Sequence, residues 1–167
     1  MSSFVLAPLL SGKTLGTVAD SFVIAEWRDV GGVSEKPRLI APRHVHHSDD
    51  EAWYVVEGKL RIQVGDREVE AAAGAAVLVP RGTPHTYWNP GPEPVRYLLV
   101  MTQNIFGLIQ DIHAMTERTP VALREIFRKH DSELLEGSRW LSRVESRCYT
   151  HVFGLINSKF SGNWSLC

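Results

Sequence analysis

The sequence predicts an all-β sandwich or barrel followed by C-terminal α-helices. Two observations carry that prediction. Between Ser21 and Thr102, short apolar runs are cut by turn residues every ~8–12 positions, the spacing of small sandwiches and barrels. After Thr102 the apolar residues recur at helical spacing instead.

The first strand is expected from Ser21 to Trp27, ended by Gly31-Gly32. A second runs from Pro37 to His46 and a third through Trp53-Tyr54-Val55-Val56. Leu60-Arg61-Ile62-Gln63-Val64 alternates apolar with polar, the mark of a strand with one wet face. Gly65-Asp66 then makes a turn, and Arg67–Glu70 returns as the second arm of a hairpin. Ala76–Val79 reads as a short buried strand stopped by Pro80 and Gly82. His85–Trp88 and Val95–Met101 complete the series. The last is apolar except for Arg96, so it is expected at the centre of a sheet.

Beyond the strands, Ile105, Leu108, Ile109 and Ile112 predict a helix with Asn104 in the N-cap position. Thr119-Pro120 places a capping hydroxyl before a proline and starts a second helix. That helix carries Leu123, Ile126, Phe127 and His130 on one face and is expected to end near Gly137. Both helices are expected to cover the barrel edge with their apolar stripes. The organisation is therefore a barrel over residues 1–102, helices over 103–137 and an extension over 138–167. Trp140, Phe153, Phe160 and Trp164 in the extension favour docking on the barrel or on a second subunit over the alternative, a poorly ordered end.

Composition narrows the function. The chain has 167 residues, 44% of them hydrophobic, enough for one self-sufficient core. Eighteen basic residues against 19 acidic ones give a net charge of −1, which supplies no field for nucleic acid. No run approaches the roughly 20 apolar residues of a membrane span. The N-terminal residues lack the basic start of a secretory signal, so a cytoplasmic location is expected. Cys148 and Cys167 form no CxxC pair and are expected as free thiols.

Three of the seven histidines fall at 44, 46 and 47, with Glu51 close behind and His85 beyond a hairpin. Strand alternation turns His44 and His46 to one face and His47 to the other. Ser48-Asp49-Asp50 is turn-forming and brings Glu51 onto the neighbouring strand. His85 adds a third imidazole after the Pro80–Pro84 turn. Three nitrogens and one carboxylate, without sulfur, suit iron, manganese, nickel, copper or zinc better than calcium or magnesium.

At these residues the sequence resembles the cupin family. His44-Val45-His46, four residues, Glu51, six residues and Gly58 follow the first cupin motif. Gly74, Pro80, Gly82, His85 and Asn89 follow the second. One departure is Arg38, which stands where the first motif begins with glycine. The resemblance covers residues 36–102 and implies a double-stranded β-helix, or jelly-roll barrel, with His44, His46, Glu51 and His85 holding one divalent transition metal. One pair of motifs implies a single-domain monocupin.

Trp53, Val55 and Tyr87 share strand parity with Glu51 and His85 and are expected to line the substrate pocket, plain barrel core being the alternative. Arg38 shares parity with His44 and, if the strand is regular that far, would aim a guanidinium into the substrate pocket at a carboxylate or enolate, but the neighbouring prolines favour a salt bridge at the rim. His113, His130 and His151 are assigned no site. The resemblance points most closely to small quercetin-dioxygenase-like cupins. The expected protein is a metal-dependent, dioxygenase-like oxidoreductase acting on a small organic substrate, with Glu51 able to serve as a base. The alternatives are an isomerase, decarboxylase or lyase, or a non-catalytic sugar- or small-molecule-binding protein. A homodimer is expected.

Overall fold

The computed structural model describes residues 14–32 and 37–135. The expected extension over 138–167 lies outside the described residues, as do both cysteines. Among the described residues, ten strands and two helices run in the order β1 (Thr14–Leu15), β2 (Phe22–Asp29), β3 (Leu39–His46), β4 (Glu51–Glu57), β5 (Lys59–Val64), β6 (Arg67–Ala72), β7 (Ala76–Val79), β8 (His85–Trp88), β9 (Val95–Thr102), α1 (Gln103–Ala114), α2 (Pro120–Lys129) and β10 (Ser132–Leu134). They form two antiparallel five-stranded sheets, β1-β2-β9-β4-β7 and β10-β3-β8-β5-β6. The fold is the double-stranded β-helix, with two helices after the barrel.

The inner faces of the two sheets make one core. Val23, Trp53, Val55, Leu60, Ile62, Val95 and Tyr97 are among its most deeply buried residues. β9 lies between β2 and β4, as its apolar sequence predicts. Gly58 turns the chain between β4 and β5 at φ +77°, and a Cβ there would stand 2.5 Å from the Pro94 carbonyl oxygen. Only glycine meets both conditions.

Three expectations need correction. Ala76–Val79 is not a buried strand: β7 is a sheet edge with Leu78 62% exposed, and of its four residues only Val79 is buried. Edge position leaves one side of a strand without a neighbour, which sequence hydrophobicity does not register. The N-cap of α1 is Thr102, whose Oγ1 accepts from the Ile105 N–H at 3.3 Å, and not Asn104. Asn104 instead donates to Asp49 and to the His130 carbonyl. The helix at Thr119-Pro120 starts as predicted but stops at Lys129. The chain then re-enters the sheet as β10, pairing Ser132 with His46 and Leu134 with His44. A three-residue strand is too short to show a periodicity.

The helices cover the open end of the barrel. Leu108 on α1 packs with Leu123 and Phe127 on α2 and with Leu134 on β10. His130 and Lys129 both bond Asp111 at 2.7 Å, fastening α2 to α1.

Candidate metal centre

β3, β4 and β8 bring four side chains to one point. His44 and His46 alternate with Val45 on β3, Glu51 opens β4, and His85 opens β8 opposite His44. The turn before His85 is tied to β3 by a hydrogen bond from the Gly82 N–H to the His46 carbonyl at 2.7 Å. The resulting ligand atoms all lie within 4.8 Å of one another, and all four residues are buried. His44 Nε2 is 3.2 Å from His46 Nε2, and Glu51 Oε2 is 3.0 Å from His85 Nε2 and 3.6 Å from His46 Nε2. This is the set read from the sequence.

The opposite ring nitrogens show why the set fits a cation. His44 Nδ1 donates to the Pro42 carbonyl at 2.7 Å and His85 Nδ1 to the Thr83 carbonyl at 2.9 Å. His46 Nδ1 is 2.8 Å from Ser132 Oγ, whose own hydrogen goes to the His130 carbonyl at 2.9 Å. Ser132 Oγ therefore accepts from His46 Nδ1–H. With every Nδ1 a donor, each neutral imidazole turns its Nε2 lone pair inward. The inner contacts then face electron-rich atoms at each other, an arrangement that requires positive charge between them. Burial, followed by the positive fields of His85 and His46, holds His44 well below its ordinary pKa, so a proton on it is disfavoured. Burial pushes the Glu51 carboxyl up, but with His46 and His85 protonated their hydrogen bonds and charge outweigh it and hold the carboxyl well below its ordinary range. A carboxylate and three lone pairs suit a divalent transition metal.

Above this set is a cavity of about 80 Å³. Its wall comes from the barrel, through Trp27, Ile40, Tyr87, Tyr97 and Leu99, and from the helices, through Ile105, Leu108, Ile109, Ile112 and Phe127. Tyr87 thus lines the cavity. Trp53 and Val55 face inward as expected but pack as core, with Trp53 edge-on to His85 at 5.8 Å. Arg38 grips Asp29 through two contacts of 2.6 and 2.7 Å and is not part of the wall. Two register shifts between Leu39 and His44 break the alternation on which the inward parity of Arg38 depended.

Sequence reasoning missed three participants. Asp29 lines the cavity and is held by Arg38, the Gly31 N–H and Asn89. His113 enters the wall from α1, its pKa lowered to about 4 by burial and then by Arg118. Ser132 arrives 86 residues after the histidine it supports. The helical spacing of His113 with Ile109 and Ile112 was the one signal available in sequence. His47 faces outward toward Glu133 and is half exposed, as its parity predicts.

A jelly-roll barrel with a buried three-histidine, one-carboxylate site defines a class of metal-binding β-proteins. Residues 33–101 match the model of the cupin domain family. The tetracenomycin polyketide synthase protein TcmJ of Streptomyces glaucescens is 30% identical over 96 residues, covering 58% of this chain and 64% of that protein. The xanthan biosynthesis protein XanB of Xanthomonas campestris is 26% identical over 88 residues, covering 53% of this chain and 19% of that protein. The chain therefore spans less than two thirds of either. Among solved structures, the polyketide cyclase RemF of Streptomyces resistomycificus is 28% identical, with a TM-score of 0.42 over 50% of this chain and 56% of that one.

Proposed function

We propose that this chain is a metal-dependent cupin enzyme acting on a small apolar molecule that presents an enol, phenol or ketone oxygen to the metal. The observation that carries the reading is the convergence of His44, His46, His85 and Glu51 beneath an apolar cavity. A bound divalent metal would supply Lewis acidity toward that oxygen. The chain's own residues do the rest. Phe127, Leu108 and Ile105 exclude water, which strengthens electrostatic effects at the site. Both imidazole contacts of Glu51 fall on Oε2, which leaves Oε1 to take a proton from the carbon next to the substrate carbonyl. The C–H electron pair moves toward the carbonyl oxygen and an enolate forms.

That enolate is common to two outcomes. With dioxygen as co-substrate and a redox-active metal, it leads to the dioxygenase-type oxidation suggested by the sequence. Without dioxygen, it leads to isomerisation or lyase chemistry. The name of the polyketide-synthase relative favours a polyketide-type substrate in either case. We further propose a homodimer as the working form, since Tyr54 and Leu78 expose apolar surface at 43% and 62%.

Elemental analysis of protein purified without added metal tests the core of the proposal. About one equivalent of a transition metal is expected. Less than a tenth of an equivalent, with unchanged ligand binding in His44→Ala, overturns it. Deuterium uptake from D₂O into an enolisable substrate, lost in Glu51→Gln, would support proton transfer. Binding without exchange or oxygen consumption would point to a non-catalytic role. Light scattering that shows a monomer overturns the dimer.

A further inference from the structure

The cavity wall contains a second built polar feature besides the ligand set. Tyr87 on β8 and Tyr97 on β9 are 7% and 2% exposed, with hydroxyl oxygens 3.2 Å apart and rings at 82°. Both line the cavity. Two hydroxyls carry two hydrogens, and only one lies between the two oxygens. Tyr87 also has the Trp53 side chain as a hydrogen-bonding neighbour, but an indole N–H only donates and so takes up neither hydroxyl hydrogen. The second hydrogen is therefore left for something inside the cavity, since buried donors are almost always satisfied.

The placement of the pair limits what that partner is. Tyr87 follows His85 by two residues on the same face of β8, so it stands roughly 7 Å along the strand from the ligand set. Apart from His113 and from Asp29, whose oxygens are taken by Arg38, the Gly31 N–H and Asn89, the wall around the two polar points is aromatic and aliphatic, with Trp27, Leu99 and Phe127 among its members. The lining has no lysine, and its arginine, Arg28, is exposed. The nearby guanidinium of Arg38 is already committed to Asp29. A phosphate group, which is recognised by several charged or backbone donors, has little to hold it here. A flat ring does, because aromatic walls present large apolar area with little conformational cost.

We infer that the substrate is a flat aromatic molecule with two oxygen substituents, one directed to the His44–His46–Glu51–His85 set and the other accepting a hydrogen bond from the Tyr87–Tyr97 pair. The inference rests on the metal-dependent reading above. Calorimetric titration of nickel-loaded protein with 1,3-dihydroxynaphthalene, 2-naphthol and glucose 6-phosphate tests it. Nickel content is measured first, so failure to take up the metal counts against the metal reading and not against this one. In the loaded native protein the diol is expected to bind at least fivefold tighter than 2-naphthol, and the sugar phosphate at least tenfold weaker than the diol. The double variant Tyr87→Phe/Tyr97→Phe is the informative one, because each single change leaves a hydroxyl able to donate. With nickel uptake retained, it should weaken the diol about tenfold and 2-naphthol less than twofold. Equal losses for the two naphthols, no preference for the diol in the native protein, or preferred binding of glucose 6-phosphate would each overturn the inference.

Discussion

Glu51 on β4 and Glu70 on β6 sit in nearly the same local geometry. Glu51 lies 3.0 and 3.6 Å from His85 and His46, while Glu70 lies 3.1 and 3.2 Å from Lys59 and Arg61. In both, the neighbours lower the carboxyl pKa. Their surroundings differ: the side chain of Glu51 is 5% exposed, and that of Glu70 is 39% exposed. Water screens the Glu70 pairs and competes for the same charges, so their geometry commits the chain to little. Around Glu51 there is no such competitor, and any charge left unmatched carries its desolvation cost. Distance alone does not tell an active group from a surface one. Burial, with a fixed orientation for each imidazole, does.

The most direct way to break this comparison is to remove a ligand from the buried set. His46→Ala should reduce metal affinity by more than the roughly 100-fold upper range for outer contacts, measured by competition with a coloured chelator. Retention of native affinity would show that burial had not organised a metal site. Ser132→Ala comes next. It leaves all four ligands in place but frees His46 Nδ1 from its acceptor. Affinity should fall ~10–100-fold, with substantial recovery in Ser132→Thr, which keeps the hydroxyl.

A smaller effect is expected from pH acting at the cavity wall. The His113 pKa is about 4 in the fold, against an ordinary value of 6.5. Below pH ~6.5 the unfolded chain takes up a proton that the folded chain refuses, so this contribution is complete above that pH and is lost as pH falls toward 4. Thermal melts of His113→Gln should therefore depend less steeply on pH between about 7 and 5 than melts of the native protein. An unchanged slope would remove His113 from the account. The smallest effect belongs to Glu70→Ala, which should leave metal content unchanged and the melting midpoint within experimental scatter, with any small difference fading at high salt. A large drop would mean that exposure is not what separates the two glutamates.

These expectations draw on features that were not equally legible in the sequence. His44 and His46 could be read because alternation along a strand is local, and Glu51 and His85 because turn residues fix their distance from neighbouring strands. Arg38 shows the limit of that logic: two register shifts separate it from the histidines, and its guanidinium goes to Asp29. Asn104 shows another, since a residue with capping chemistry serves instead to link Asp49 with the His130 carbonyl.

By itself the sequence determined the series of short strands, the two helices and the ligand set, because all three are written in short-range periodicity and spacing. The tertiary structure alone decided that β10 returns beside β3, that Ser132 fixes the tautomer of His46, and that the helices wall the cavity together with Tyr87 and Tyr97. Those features depend on contacts between residues far apart in the chain. They arise only when the apolar faces pack and the buried polar groups must find partners.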